Sequence, residues 1–167
     1  MKKTAVIILT ALTLFACNKT LSDIEQDYYT IIHEIVPLQE EFMDNSSKPL
    51  YDIKNALENG TAFNINQAVN NIEKVQQETK QKITEKADKI KSELGKKYID
   101  INISYIDNIS SFSIDMLNDF KNEKNKSLDN FIKLLGQSVA ATQEKISKIM
   151  QEEENILTEL QNKVEKK

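Results

Sequence analysis

From Ser22 onward, apolar residues recur every three or four positions, which is the spacing of amphipathic helices. Ser22–Glu25 (SDIE) has the sequence of a capping box, so the first helix is predicted to begin there. Its apolar stripe consists of Ile24, Tyr28, Ile31, Ile35, Leu38 and Phe42. Pro37 lies within this stripe and predicts a kink or an interruption near His33, because proline has no backbone N–H to donate.

A turn and a short second helix are predicted next. Asp44–Pro49 (DNSSKP) is rich in turn-forming residues, and Pro49 suits the first position of a helix. Asn59-Gly60 would end that helix, since glycine favours the left-handed conformation after a helix terminus. The apolar face of the short helix would consist of Leu50, Ile53 and Leu57.

A long helical stripe is predicted from Ile65 to Phe120. Ile72, Ile83 and Leu94 follow one another at eleven-residue spacing, which is close to three helical turns. Beyond Gly95, Ile99–Ile103 alternates apolar and polar residues as a strand would. The helical spacing persists to Phe120, so a helix is predicted there, and a bend at Gly95 or a short strand over Ile99–Ile103 remains open.

The last helix should follow the polar turn Lys121–Ser127, with Ser127 as its cap. It would reach about Val164 and measure roughly 57 Å at 1.5 Å per residue. Its seam has heptad-like steps of four and three, interrupted by Thr142 and Glu153. The pattern predicts an all-α fold, an elongated antiparallel bundle of three long helices and one short helix, with residues 22–167 as a single domain.

Composition argues against nucleic-acid binding. The chain has no arginine, a net charge of −4 and a pI of about 5.2, so it lacks the basic surface and the planar cation that phosphate recognition favours. Residues 18–60 carry three lysines and nine acidic residues, whereas residues 61–167 carry seventeen of each. The acidic segment is interpreted as a solvated face, and contact with a basic partner is the alternative.

Candidate catalytic chemistry is sparse, so the sequence predicts no enzyme, no cofactor and no metal site. The chain has one cysteine, one histidine and three isolated glycines, which form neither a phosphate loop nor a metal-ligand pair. His33 is interpreted as a partly exposed residue on a helix flank, with a pH-sensing or ligand role as the alternative. Glu152–Glu154 is interpreted as a solvated run, because consecutive helical carboxylates point in different directions, and attraction of a cation is the alternative. The aromatic residues are assigned to the core, with a ligand channel between helices as the alternative.

The amino terminus has the parts of a secretory signal. Met1–Lys3 is basic, Thr4–Leu14 is apolar and Ala16 is small. The apolar run is too short to span a bilayer as a helix, which needs about 20 residues. Cys17 follows at once, and a role as nucleophile or metal ligand would require partners that the sequence does not offer.

Leu14–Cys17 (LFAC) resembles the lipobox of bacterial lipoproteins. The resemblance implies cleavage between Ala16 and Cys17, removal of residues 1–16, and modification of Cys17 by diacylglycerol and a further acyl group such as palmitate. Residues 17–21 would then be a lipidated N-terminus and short tether. Several acyl chains on Cys17 would anchor the protein stably to a membrane.

The Lys-, Asn- and Ile-rich helical body also resembles the outer-surface lipoproteins of Borrelia-type spirochaetes. That resemblance implies anchoring to the bacterial outer membrane, display on the cell surface, and contact with host or vector molecules, for instance in immune evasion. A non-catalytic binding module is therefore the predicted function, with its ligand-binding residues unassigned. The alternative is a periplasmic coiled-coil scaffold lipoprotein of the envelope, in which the last seam forms a homo-oligomer.

Overall fold

The computed structural model describes residues 22–166, which form an all-α bundle of four antiparallel rods. The helices are α1 (Asp23–Thr30), α2 (Val36–Asn59), α3 (Ile65–Ala87), α4 (Glu93–Asn122) and α5 (Leu128–Glu165). A π-helical turn, Ile31–Ile35, joins α1 and α2 into the first rod. The rods are joined by the short connections 60–64, 88–92 and 123–127, so successive rods pack antiparallel. The predicted fold class is confirmed, and residues 22–166 contain no strand.

The π-helical turn lies where Pro37 was expected to disturb the first helix. The Val36 N–H donates to the Ile31 carbonyl, five residues earlier, instead of the usual four. The wider turn inserts an extra residue just before Pro37, which cannot donate a backbone hydrogen bond. The irregularity predicted near His33 therefore exists, and it leaves the rod continuous.

The predicted turn at Asp44–Pro49 is wrong, because α2 passes through it without a break. The buried residues of α2 include Phe42, Ser46, Pro49 and Ile53, which lie four, three and four positions apart on one face. Packing of this face against the bundle outweighs the helix-breaking tendency of Pro49. The predicted first helix and short second helix are consequently one rod.

The single long helix predicted from Ile65 to Phe120 is also wrong, because the chain reverses at 88–92 and forms two helices. Gly95 is the third residue of α4, so the reversal lies just before it. Ser92 caps α4 by accepting a hydrogen bond from the Gly95 N–H at 3.0 Å. Ile99–Ile103 is helical, which excludes the strand. The eleven-residue spacing therefore crosses a chain reversal, with Ile83 on α3 and Leu94 on α4.

Two apolar clusters fill the bundle, one toward each end. One end of the bundle contains Glu153 and is here called the Glu153 end. Its cluster consists of Ile31, Ile35, Phe42, Ile83, Ile90, Tyr98, Ile99, Ile106, Ile156 and Leu160. The cluster at the Phe120 end consists of Ile53, Ile65, Ala68, Ile72, Met116, Leu117, Phe120 and Phe131. Both clusters draw side chains from all four rods, so each end has a closed core.

Lysines that follow the acidic first rod in sequence compensate part of its charge. Glu34 pairs with Lys86 at 3.0 Å and with Lys89 at 2.8 Å. These two contacts, led by the hydrogen bond from Lys89, lower the pKa of Glu34. Lys82 pairs with Glu41 at 3.4 Å. Lys82 and Lys89 thus reach across to the first rod.

Candidate functional site

Glu153 is a buried carboxylate in the middle of an acidic run. Its side chain lies on the packed face of α5, and the residue is 8% exposed. Glu152 and Glu154 on either side are exposed. The interpretation of this run as solvated is thus right for its two outer members and wrong for Glu153, which the helical rotation directs inward.

Three neutral donors from two other helices bind the Glu153 carboxylate. Oε1 accepts from the Tyr98 hydroxyl at 2.8 Å and from Asn102 Nδ2 at 3.1 Å, both on α4. Oε2 accepts from Gln39 Nε2 on α2 at 3.1 Å. Tyr98 and Asn102 are four residues apart and share one face of α4. The carboxylate therefore fixes the position of α5 relative to both α2 and α4.

The orientation of the Asn102 amide follows from its partner. With Nδ2 toward Glu153, the buried Oδ1 atom has no hydrogen-bond partner among the described residues. The reversed amide would place Oδ1 against Glu153 Oε1, so two acceptors would face each other. The cluster thus retains an unused acceptor next to the carboxylate.

No lysine within residues 22–166 forms an ion pair with Glu153, although ten other ion pairs occur there. Burial, and then the negative charge of Glu153, raise the pKa of the Tyr98 hydroxyl well above its ordinary value. The same two causes raise the pKa of Tyr105. Tyr98 consequently stays protonated and keeps donating to Glu153 over the physiological pH range.

A cavity of about 480 Å³ adjoins this carboxylate between the first rod and α5. It is lined by Val36, Gln39, Tyr98, Ser147, Met150, Gln151, Glu153, Glu154 and Leu157. Three of these side chains are aliphatic or thioether groups, four are neutral polar groups, and the two charged ones are both carboxylates. The cavity therefore combines an apolar wall with an exclusively negative charge.

A second buried carboxylate, Asp27 on α1, has a structural role. It is fully buried, and its Oδ1 and Oδ2 atoms accept from the backbone N–H groups of Lys91 at 3.0 Å and Ser92 at 2.7 Å. A Cβ atom on Gly95 would lie 2.8 Å from Asp27 Oδ2, so only glycine allows this approach. Asp27 thereby fixes the reversal between α3 and α4. Nothing in the local sequence distinguishes it from the exposed acidic residues of the first rod.

The middle of α5 presents an uncharged exposed face, here called the α5 strip. Between Phe131 and Glu153 no residue of α5 is buried. Ile132, Val139 and Met150 are 50%, 45% and 52% exposed. At 100° per residue the exposed, uncharged residues of one face are Ile132, Gly136, Val139, Ala140, Gln143, Ser147 and Met150. The strip is roughly 27 Å long at 1.5 Å per residue.

The candidate residues predicted from the sequence have different environments in the structure. Ala16 and Cys17 lie outside the described residues. His33 is exposed, as predicted, and stacks on Tyr29 with ring centroids 6.0 Å apart. Most of the aromatic residues assigned to the core are buried or partly buried, but Tyr51 is 62% exposed.

Neither a metal centre nor a membrane span is found in the described part of the chain. Residues 22–166 contain no group of three or more His, Cys, Asp or Glu side chains able to hold a metal ion. None of the described helices is long and apolar enough to cross a bilayer. Comparison with known proteins adds no assignment, since no family model, curated protein or solved structure matches the chain.

Proposed function

We propose that the protein is a lipid-anchored, non-catalytic binding module on the surface of a bacterial outer membrane, and that it binds a host or vector protein through the α5 strip. The strip is the observation that carries the binding function. The resemblance of Leu14–Cys17 to a lipobox supports the anchor, and the resemblance to spirochaetal surface lipoproteins supports the location.

The α5 strip has the properties of a surface that pairs with a helix. Ile132, Val139 and Met150 are large apolar side chains exposed along one line of α5, and exposed apolar surface of this kind is suited to an interaction site. Gly136 and Ala140 between them are small, so a partner helix can approach closely. Because the strip carries no charge, its burial needs no desolvation of ionised groups. The partner we expect presents an apolar helical face of comparable length.

Val139 and Ala141 provide a matched pair for testing the strip. Both are exposed residues of α5, but they lie about 160° apart around the helix at 100° per residue, so Ala141 faces away from the strip. Val139→Lys should abolish the capture of a host protein from serum by the acyl-free protein, and Ala141→Lys should leave it intact. Equal capture by the two variants, with the captured protein identified by mass spectrometry, would contradict the strip as the binding surface.

The anchor and the location are tested separately. Mass spectrometry of the mature protein should show an N-terminal Cys17 carrying acyl groups, and an unmodified thiol or a chain beginning at Met1 would contradict lipidation. Protease added to intact cells should remove the protein. Full protection from protease would place it inside the envelope.

A periplasmic coiled-coil scaffold is the second candidate, because the exposed Ile132 and Val139 both belong to the heptad seam of α5. In that case a second copy of the chain covers the strip. Sedimentation equilibrium distinguishes the two functions. A stable dimer or trimer that Val139→Lys dissociates supports the scaffold, whereas a monomer that captures a host protein supports the binding module.

A further inference from the structure

We infer that the cavity beside Glu153 is a binding site for a small organic amine. Its protonated primary ammonium group would lie against the Glu153 carboxylate, and its apolar body along Val36, Met150 and Leu157. This inference is independent of the proposed function, because it depends on Glu153 and the cavity and needs neither the anchor nor a protein partner.

The charge of Glu153 is the first argument. Three neutral donors satisfy three of the roughly four acceptor positions of a carboxylate, but none of them compensates its charge. Burial of an ionised group without an opposite charge is costly. An ammonium group in the cavity would occupy the remaining acceptor position and supply the missing positive charge.

The lining of the cavity is the second argument. The Ser147 hydroxyl is exposed and lines the cavity, so its lone pairs are available to an ammonium N–H. Val36, Met150 and Leu157 contribute apolar side chains to the same lining. The volume of about 480 Å³ falls within the range of small-molecule pockets, which is about 300–1,000 Å³.

Other ligand classes fit this lining less well. An anion would face two carboxylates and no cation among the lining residues. A divalent metal ion needs several convergent ionisable ligands, and none of the described residues form such a group. A neutral apolar molecule would leave the charge of Glu153 uncompensated. A protonated amine with an apolar body supplies a positive charge to Glu153 and an apolar surface to Val36, Met150 and Leu157.

Hexylammonium and 1-hexanol form a suitable pair of probes, since they share the apolar chain and differ in charge. The test uses the mature chain with Cys17→Ser, because the packing of α1 to α5 lies within residues 22–166. Calorimetric titration at pH 7 should show hexylammonium binding about tenfold or more tightly than 1-hexanol, as charge-assisted hydrogen bonding predicts. Equal affinity for the two probes, or no binding of hexylammonium at millimolar concentration, would overturn the inference.

Glu153→Gln and Glu154→Gln are the matched variants. Glu153→Gln keeps the size of the buried side chain but removes its charge. Its amide oxygen can still accept from Tyr98 and Asn102, and its NH₂ group can donate to Gln39 once the Gln39 amide is reversed. Hexylammonium affinity should therefore fall to that of 1-hexanol. Glu154→Gln removes an exposed charge from the rim and should change the affinity by about twofold or less. Unchanged affinity in Glu153→Gln would refute the role of the buried carboxylate.

Ser147→Phe keeps the test decisive if Glu153→Gln does not fold. Ser147 is exposed and lines the cavity, so a phenyl group there should fill the cavity without entering the core. Circular dichroism should be unchanged and hexylammonium binding lost, and retained binding would contradict the site. The α5 strip and the cavity share Ser147 and Met150, but Val139 belongs to the strip alone and lies about 12 Å from Ser147 along α5. Val139→Lys should therefore bind hexylammonium normally while losing the protein partner.

Discussion

The two ends of the bundle are closed in different ways. At the Phe120 end, Phe120 packs against Phe63 with ring centroids 6.1 Å apart and against Phe131 at 5.2 Å, the latter pair edge to face. At the Glu153 end, apolar side chains surround two buried carboxylates, Glu153 and Asp27. Aromatic packing tolerates small shifts between helices, whereas a carboxylate holds its donors at set distances. The Glu153 end therefore determines the register of the four rods more strictly.

Each end also has a cavity, and the two cavities differ in the same way. The one between α2 and α3 measures about 270 Å³, and its one charged lining residue, Asp52, is exposed to solvent. The cavity of about 480 Å³ at the opposite end has Glu153, a residue 8% exposed, in its wall. Water surrounds the carboxylate of Asp52, whereas protein atoms replace most of the water around Glu153. Of these two cavities, the one beside Glu153 therefore has the stronger electrostatic reason to bind a cation.

Removal of the central aromatic ring should have the largest effect. Phe120→Ala should destabilise the fold by about 3–5 kcal/mol, because it removes a fully buried ring from a closed core. Urea denaturation measures the change. Tyr51→Ala, at a residue 62% exposed, is the control and should cost less than about 0.5 kcal/mol. A cost below about 1 kcal/mol for Phe120→Ala would show that the aromatic contacts do not hold this end together.

Asp27→Asn tests whether the stability of the Glu153 end depends on directed hydrogen bonds. One amide oxygen cannot replace two carboxylate oxygens, so an NH₂ group would face the Lys91 or Ser92 N–H. We expect a loss of about 1.5–3 kcal/mol, the range for hydrogen bonds to charged groups, measured by urea denaturation. Asp23→Asn, on the same helix but exposed, should have little effect. Equal effects of the two variants would assign no special role to Asp27.

Replacement of two glycines by alanine should change the stability of the fold in opposite directions. A Cβ at Gly95 would meet Ile90 Cγ2 at 2.7 Å as well as Asp27, so Gly95→Ala should destabilise by about 1–3 kcal/mol. A Cβ at Gly136 within α5 meets nothing within 4 Å, so Gly136→Ala should stabilise by about 0.5–1 kcal/mol through helix propensity. Thermal denaturation measures both. Stabilisation by both substitutions would show that Asp27 and Gly95 do not pack closely in solution.

The surface ion pairs of Glu34 should have the smallest effect. Contact with Lys89 and Lys86 lowers the pKa of Glu34 below its ordinary value of 4.5, so the folded state favours the ionised form. The resulting stability is present above pH 4.5 and disappears as the pH falls through the lowered pKa. Glu34→Gln should cost less than about 1 kcal/mol at pH 7, since exposed pairs are weak, and the cost should vanish in acid and shrink in salt.

The comparison of denaturation curves at pH 7 and pH 3 tests the role of Glu34. A difference between wild type and Glu34→Gln that persists at pH 3 would have a cause other than the ion pairs. Glu40→Gln is the control, because Glu40 is exposed on the same rod and belongs to none of the ion pairs found in the described residues.

Local rules predicted the parts of the fold that depend on neighbouring residues. The capping box at Ser22–Glu25, the left-handed Gly60 and the cap at Ser127 all occur as expected, because their contacts span only a few residues. The continuation of α2 through Pro49 could not be predicted locally, since contacts with distant helices stabilise it.

The candidate site was less predictable than the fold. Glu153 was identified as an interruption of the apolar seam, but the sequence could not show which side chains surround it. Its three donors lie 51, 55 and 114 residues away along the chain. Whether a helical carboxylate is buried depends on the distant helices that pack around it. The local sequence therefore cannot distinguish a buried carboxylate from a solvated one.

The amino-acid sequence by itself determined that the body is helical, where most helix ends lie, and that arginine-based recognition is excluded. Hydrophobic spacing, caps and composition act within a few residues, so they can be interpreted without coordinates. Only the tertiary structure decided that the chain reverses at 88–92, that Asp27 and Glu153 are buried, and that the middle of α5 stays exposed. Each of these depends on which distant surfaces meet, and the free energy of that packing outweighs local preference at Pro49 and at the reversal alike.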